Sequence, residues 1–157
     1  MLVNLKQILW PTDFSELSRI GGRYARGLSE HFGAALHVIH VLAPVFTPDF
    51  SVLLPVNVPV AAPEPEMVQV CRENLAKIIA EQFGNDPRIV AEVLSGDPLT
   101  CICDYARQKQ IDLIVVATHG RTGLEHALIG STAERIVQHA PCPVLTMKSA
   151  GWHFLRD

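Results

Sequence analysis

The alternation of short apolar runs with longer helical segments constrains the fold of this chain more than any other feature. Apolar runs of the length of a buried strand lie at residues 5–10, 34–42, 88–94, 111–117 and 143–147. The run at 111–117 (IDLIVVA) is the clearest, and the run at 34–42 is nearly as continuous. Strands that are apolar on both faces are typical of a parallel sheet with helices packed on each side.

Helical periodicity fills the intervals between these runs. The first helix is expected to begin at Asp13 or Ser15, either of which can act as its N-cap, and to end at Gly33. Glu16 stands three residues after Asp13, which is the spacing of a capping box. Strands separated by helices indicate βαβ units, and hence an α/β fold built on a mainly parallel sheet. Three further helices are predicted. One spans 66–83, one begins at Pro98 with Asp97 as its N-cap, and one spans 132–139.

The length of 157 residues suits one domain and is too short for two ordinary ones. The chain is therefore expected to form a single domain over residues 1–157. A proline-rich stretch at 43–65 shows no sustained periodicity and is interpreted as a long loop. Structureless loops of more than about 12–15 residues are usually functional or mobile. The apolar tail at 149–157 has no predicted place in the fold.

Charge and composition argue against several partners and compartments. The net charge is −3 and the 13 lysines and arginines are scattered, whereas a nucleic-acid binder normally has a basic face. No apolar run approaches the roughly 20 residues of a membrane span, and the N-terminus lacks the pattern of a signal peptide. The four cysteines are interpreted as structural rather than as disulfides or metal ligands. These features predict a cytoplasmic protein that binds neither nucleic acid nor membrane.

Two segments with binding chemistry follow predicted strands. In open parallel sheets, ligands bind beyond the carboxyl ends of the strands, at the point where the strand order reverses. The first segment consists of Pro11, Thr12 and Asp13 after strand one, and the second spans 117–132 after strand four. If these two strands are central neighbours, the two segments face each other across one crevice.

The second segment combines small residues with the start of a helix. Its glycines, among them Gly120 and Gly130, let backbone N–H groups approach an anion, and Arg121 adds a positive charge. Ser131 and Glu134 match a capping box, so the positive end of the helix dipole faces the same space. The combination suits phosphates, although a glycine followed by a capping serine also begins many helices that bind nothing. An arginine such as Arg121, taken alone, is more often a solvated surface charge.

The familiar motifs of nucleotide enzymes are missing from the sequence. It contains no G-x-x-x-x-G-K-[ST], no G-x-G-x-x-G after the first strand and no G-x-S-x-G. A P-loop NTPase, a dinucleotide-binding Rossmann site and a nucleophile elbow are therefore not expected. No catalytic residue and no metal ligand is predicted, because the histidines lack both metal-ligand spacing and a paired carboxylate.

Three segments of the chain carry a family resemblance. They are ILWPTDFS at the first strand and turn, LHVIHVLAP at the second strand, and an almost unbroken C-terminal half that begins at SGDPLT. From about residue 5 to 148 the chain resembles the universal stress protein family, whose nucleotide-binding members share a G-x2-G-x9-G-[ST] signature. Ala117, Gly120, Gly130 and Ser131 fill that signature here, with alanine in place of the first glycine.

The resemblance implies a fold, a ligand and a set of contacts. The fold would be Rossmann-like, an open five-stranded parallel sheet of order 3-2-1-4-5 with helices on both faces. The ligand would be ATP, or AMP or ADP, with Mg²⁺ accompanying the phosphates, and Val41 would meet the adenine edge through its backbone. The implied site residues are Pro11, Thr12, Asp13 and Val41 at the adenosine end, Ala117, His119, Gly120 and Arg121 at the ribose and phosphates, and Gly130, Ser131 and Thr132 at the phosphates.

The resemblance also suggests a homodimer, and the last strand supports it on physical grounds. Residues 142–148 would form an edge strand whose unpaired backbone groups invite pairing with another copy. The leading functional hypothesis is a nucleotide-binding regulatory protein of the stress response that acts on an unknown protein partner. Two alternatives stay open, a slow ATPase or phosphotransferase and an interaction module that binds no nucleotide.

Overall fold

The predicted strands and helices all form, within one or two residues of their expected ends. The computed structural model describes residues 3–44, 63–84, 86–118 and 130–147. Most of the loop predicted at 43–65 and the tail at 149–157 lie outside these residues. The described elements are β1 (Gln7–Pro11), α1 (Glu16–Phe32), β2 (Ala35–Leu42), α2 (Pro65–Phe83), β3 (Ile89–Ser95), α3 (Pro98–Gln108), β4 (Leu113–Ala117), α4 (Ser131–His139) and β5 (Val144–Met147).

The five strands form one sheet in the order β3-β2-β1-β4-β5, and every neighbouring pair is parallel. This confirms the predicted α/β class and strand order. Each of the first four strands is followed by a helix that returns the chain to the same end of the sheet, as parallel pairing requires. β1 lies at the centre, and β3 and β5 are the two edges.

Helices cover both faces of the sheet, as predicted. Successive side chains of a strand point to opposite faces, so β1 contributes to two separate cores. Trp10 packs with α1 and α2 on one face, where its ring meets Phe83 edge-on at a centroid distance of 5.7 Å. Leu9 points the other way and packs against Ile102 of α3 and Ile136 of α4. Within the described ranges, none of the helices combines the length and apolar character needed to cross a bilayer.

The start of α1 decides between the two predicted N-caps. Ser15 is the N-cap, because its side chain accepts a hydrogen bond from the Ser18 N–H. Asp13 lies outside the helix and accepts from both the N–H and the hydroxyl of Ser15, at 3.0 and 2.6 Å. The capping box of Asp13 with Glu16 is therefore wrong. The predicted end at Gly33 is confirmed, with the left-handed φ of 65° that favours glycine at a helix C-terminus.

The start of α4 corrects a second capping prediction. The N-cap is Gly130, whose carbonyl accepts from the Glu134 N–H at 3.0 Å, and Ser131 is the first helical residue. The helix thus begins one residue earlier than the capping box of Ser131 with Glu134 requires, and no side chain caps it.

The predicted start of α3 is confirmed. Asp97 caps the helix through the Thr100 N–H, and Pro98 follows at its first position.

Candidate functional site

A cavity of about 320 Å³ opens at the carboxyl ends of β1 and β4. These strands are neighbours at the centre of the sheet, and the chain leaves β1 toward one edge and β4 toward the other. Such a reversal leaves a crevice between the two connections, which is where ligands of open α/β sheets bind. The start of α3 at Pro98 and the start of α4 at Ser131 complete the walls.

The cavity brings together most of the residues predicted for the site. Residues from the first segment, from the end of β2, and from both ends of the second segment share its lining. His119, Gly120 and Arg121 lie outside the described residues. The eight predicted residues that line the cavity are Pro11, Thr12, Asp13, Val41, Ala117, Gly130, Ser131 and Thr132.

The wall after β1 is held by a dense set of hydrogen bonds. Thr12 is buried, and its N–H donates to the Ile39 carbonyl of β2 at 2.8 Å. Its hydroxyl oxygen accepts from the Phe14 N–H at 3.1 Å and from the Ser18 hydroxyl at 3.0 Å. Asp13 is fixed in turn by the two bonds from Ser15 described above. This side of the cavity is therefore held in place by hydrogen bonds within the protein.

The opposite wall is the N-terminal turn of α4. The Gly130 N–H donates to the Thr118 carbonyl, while the N–H and hydroxyl of Thr118 donate to the Met147 carbonyl at 2.9 and 3.1 Å. These bonds tie the start of the helix to the ends of β4 and β5. The amides of the first helical turn have no intrahelical acceptor and carry the positive end of the helix dipole. The exposed hydroxyls of Ser131 and Thr132 stand on the same turn.

Three polar lining residues were not predicted as site residues. Ser18 of α1, His40 of β2 and Thr118 just after β4 all contribute to the cavity. His40 lies on the face of β2 that α1 and α2 cover, and Ser18 lies on α1 itself. The sequence of β2 does not reveal this, because a strand that is apolar on both faces does not show which face borders the cavity. Thr118 did carry a signal, since it lies inside the 117–132 segment directly after a strand.

A charge pair stands beside the cavity. Asp97 accepts from both the N–H and the hydroxyl of Thr100, each at 2.9 Å. These bonds, first the backbone and then the side-chain one, lower the pKa of Asp97 below its ordinary value, with a further contribution from Arg135. Arg135 of α4 lies 3.8 Å from the Asp97 carboxylate. Both side chains are about half exposed, so this contact between α3 and α4 contributes at most about 1 kcal/mol.

The cavity joins an apolar part to a polar part. Val41, Ile102, Val116 and Ile136 supply apolar walls, while backbone amides and hydroxyls gather at the start of α4. This arrangement fits a ligand with a flat apolar group at one end and an anionic group at the other. Among the described residues no three His, Cys, Asp or Glu side chains are grouped as metal ligands, and all four cysteines are free thiols.

Known proteins resemble the chain over almost its whole length. The model of the universal stress protein family matches residues 4–148. Universal stress protein MJ0531 of Methanocaldococcus jannaschii is 36% identical over 147 residues, which cover 91% of this chain and 82% of that protein.

Solved structures of universal stress proteins share the fold. One, in complex with cAMP, has a TM-score of 0.68 at 16% identity and covers 93% of this chain and 98% of its own. Another, from Archaeoglobus fulgidus in complex with dAMP, has a TM-score of 0.61 at 18% identity and covers 92% of this chain and 98% of its own. Since the family match includes every described helix and strand, this chain belongs to the universal stress protein family.

Proposed function

We propose that this protein binds an adenine nucleotide in the cavity between β1 and β4 and acts as a regulatory protein of the stress response in the cytoplasm. The observation that carries the proposal is the pairing of apolar walls with a helix start that no side chain caps, inside one cavity. A nucleotide has the matching parts, a flat base and an anionic phosphate group. Universal stress proteins of the same fold in complexes with cAMP and dAMP support this choice of ligand.

The orientation of the nucleotide follows from the two walls. The base and its sugar lie against Pro11, Thr12, Asp13 and Val41, where the backbone of Val41 meets the adenine edge. The phosphates lie at the start of α4, because the amides and the dipole there favour an anion. The proposed phosphate and ribose contacts are Ala117, His119, Gly120, Arg121, Gly130, Ser131 and Thr132.

ATP with Mg²⁺ is the proposed physiological ligand, with AMP and ADP as the alternatives. The hydroxyl oxygens of Ser131 and Thr132 are hard donors of the kind that Mg²⁺ prefers, so the described residues fit a metal that arrives with the phosphates. No catalytic residue is part of the proposal, and the protein is expected to hold the nucleotide rather than to turn it over. Occupancy would alter which protein partner is bound.

Nucleotide binding should raise the thermal stability of the protein. A ligand at 100 times its dissociation constant stabilises the folded state by about 2.7 kcal/mol, which is a shift of several degrees for a chain of this size. The melting temperature should be measured with ATP, ADP and AMP, each with and without Mg²⁺, and with GTP as the control for the base. No shift with any adenine nucleotide at millimolar concentration would contradict the proposal.

We further propose that the protein forms a homodimer through β5. This strand is an edge of the sheet, and Leu145 on it and Val137 on the adjacent α4 are 36% and 47% exposed. Edge strands leave a row of unpaired N–H and C=O groups, and an apolar edge of this kind favours pairing with a second copy. The proposed contact, at about 142–148, would cover the edge and these two side chains.

A charge on β5 should therefore dissociate the dimer. Leu145→Lys places an ammonium group in the proposed interface, and the mass in solution should fall from that of two chains to that of one. Val90→Lys is the matched control, because Val90 is 40% exposed on β3, the opposite edge. Sedimentation equilibrium measures both variants. A wild-type monomer, or equal dissociation by the two variants, would contradict dimerisation through β5.

A further inference from the structure

The turn between β1 and α1 contains a strained residue. Phe14 has φ 67°, which is the left-handed region that bulky side chains rarely occupy. Glycine would adopt this conformation without steric cost. The strained residue stands between Asp13, which lines the cavity, and Ser15, which caps α1. Strain of this kind persists only where the surrounding contacts over-determine it, and it concentrates at functional sites.

Two contacts hold Phe14 in this conformation. Its ring stacks on the imidazole of His40 at a centroid distance of 4.1 Å and an interplanar angle of 24°. Its N–H donates to the hydroxyl oxygen of Thr12 at 3.1 Å. His40 is itself tied to the turn, because its Nδ1 donates to the Thr12 carbonyl at 2.8 Å. Thr12, Phe14 and His40 thus form a closed ring of contacts.

This ring of contacts borders the proposed nucleotide site. Thr12 and His40 both line the cavity, and Asp13 lies between Thr12 and Phe14 along the chain. A turn that is free to relax would move Thr12 and Asp13 together. A turn that is locked holds Thr12 and Asp13 in place before the ligand arrives. Little conformational entropy is then lost on binding, and this is how preorganisation raises affinity.

We propose that the Phe14–His40 stack is a positioning device, which locks the strained turn at residues 12–15 so that Thr12 and Asp13 form a preshaped wall of the nucleotide site. The consequence for binding rests on the proposed function, whereas the locking of the turn does not. Phe14 is a positioning residue here, because it acts on the ligand through Thr12 and Asp13.

Two variants separate positioning from ordinary core packing. Phe14→Ala removes the ring but keeps the left-handed strain, while Phe32→Ala removes a ring that packs on the same core cluster at the far end of α1. Both should lower the free energy of unfolding. Affinity for AMP, measured by calorimetry, should fall about tenfold in Phe14→Ala, about 1.4 kcal/mol, and stay unchanged in Phe32→Ala. Phe14→Tyr should keep the affinity of the wild type.

A second measurement tests the locked turn without nucleotide. The amides at positions 14 and 15 donate within the turn, so their hydrogen exchange should be about tenfold faster in Phe14→Ala than in Phe32→Ala. If Phe14→Ala does not fold, Phe14→Gly replaces it, because glycine relieves the strain. Equal affinity and equal exchange in the two variants would overturn the proposal. If the wild type binds no nucleotide, the proposed function fails and the exchange rates alone decide whether the stack locks the turn.

Discussion

Replacing Gly22 with alanine is expected to destabilise the protein by about 1–3 kcal/mol, although alanine is the better helix former. Gly22 lies in α1, directly over the indole of Trp10. A Cβ atom at this position would stand 2.7 Å from two ring atoms of Trp10 and 2.8 Å from the Gln82 side-chain oxygen. Contacts between a Cβ and another heavy atom are essentially never that short, so α1 or the indole must move.

The indole has little room to give way. Trp10 is fully buried, its Nε1 donates to the Ser18 carbonyl at 3.1 Å, and its ring lies edge-on against Phe83. A buried aromatic ring with contacts on several sides moves only by disturbing its neighbours, because protein interiors are close-packed. The cost of overpacking should therefore exceed the gain in helix propensity, which is about 1 kcal/mol.

The preceding residue is the matched control. A Cβ at Gly21 would meet its nearest neighbour, Nε1 of Trp10, at 3.6 Å, which is ordinary van der Waals contact. Gly21→Ala should therefore stabilise the protein by about 0.5–1 kcal/mol, as glycine to alanine does in a helix interior. Urea denaturation measures both free energies of unfolding. Equal effects of the two substitutions would contradict the close contact between α1 and the indole.

A double substitution tests the cause directly. The two ring atoms that crowd Gly22 belong to the six-membered part of the indole, which a phenylalanine at position 10 would lack. Trp10→Phe alone should destabilise the protein, because it empties volume and removes the bond to Ser18. In the double variant Trp10→Phe with Gly22→Ala, the loss in free energy of unfolding should be smaller than the sum of the two single losses, because the new methyl group fills part of the emptied space.

The architecture was predictable from the sequence to the extent that apolar runs define strands. Each run became a strand, and helical periodicity placed α1 to α4 between them. Strand order did not follow from these patterns, because the central strands are apolar on both faces and look alike. The order came from the family resemblance, and the structure confirms it.

The N-cap residues of α1 and α4 could not be predicted correctly from the sequence. Gly130 and Ser131 are both acceptable N-caps, and a shift of one residue decides which side chain faces the helix end. At α1 the choice between Asp13 and Ser15 depended on Phe14 entering the left-handed region, which no propensity indicates for a phenylalanine. The contact of Phe14 with His40 is what stabilises that turn, and it joins residues 26 positions apart.

The sequence predicted most of the site residues that follow strands, but not those that tertiary packing brings to the cavity. Residues that follow strands β1 and β4 meet because the carboxyl ends of parallel strands share one edge of the sheet. Ser18 reaches the same cavity through the packing of α1 on the sheet, which sequence spacing does not encode, and His40 reaches it from β2. Gly22 illustrates the same limit, since two adjacent glycines in one helix both lie against Trp10 and differ in how closely its ring approaches them.

Replacing Gly130 with valine is expected to weaken nucleotide binding about a hundredfold while leaving the protein folded. Gly130 has φ −69° and ψ 149°, a conformation that any residue adopts, and its N–H bond to Thr118 does not depend on the side chain. Valine is a poor N-cap, so a loss of stability of about 1 kcal/mol is expected. The branched side chain would stand where the proposal places the phosphates, and affinity should fall by about a hundredfold, or about 2.7 kcal/mol.

The control must lose stability without touching the cavity. Gly33→Ala meets this requirement, because Gly33 caps α1 with φ 65° and a Cβ there would have nothing within 4 Å among the described residues. The free energy of unfolding of Gly33→Ala should be about 1 kcal/mol lower than that of the wild type, through backbone strain alone. Calorimetric titration with ATP should then give the wild-type affinity for Gly33→Ala and an affinity about a hundredfold lower for Gly130→Val. If Gly130→Val binds ATP as tightly as the wild type, the phosphates do not lie at the start of α4.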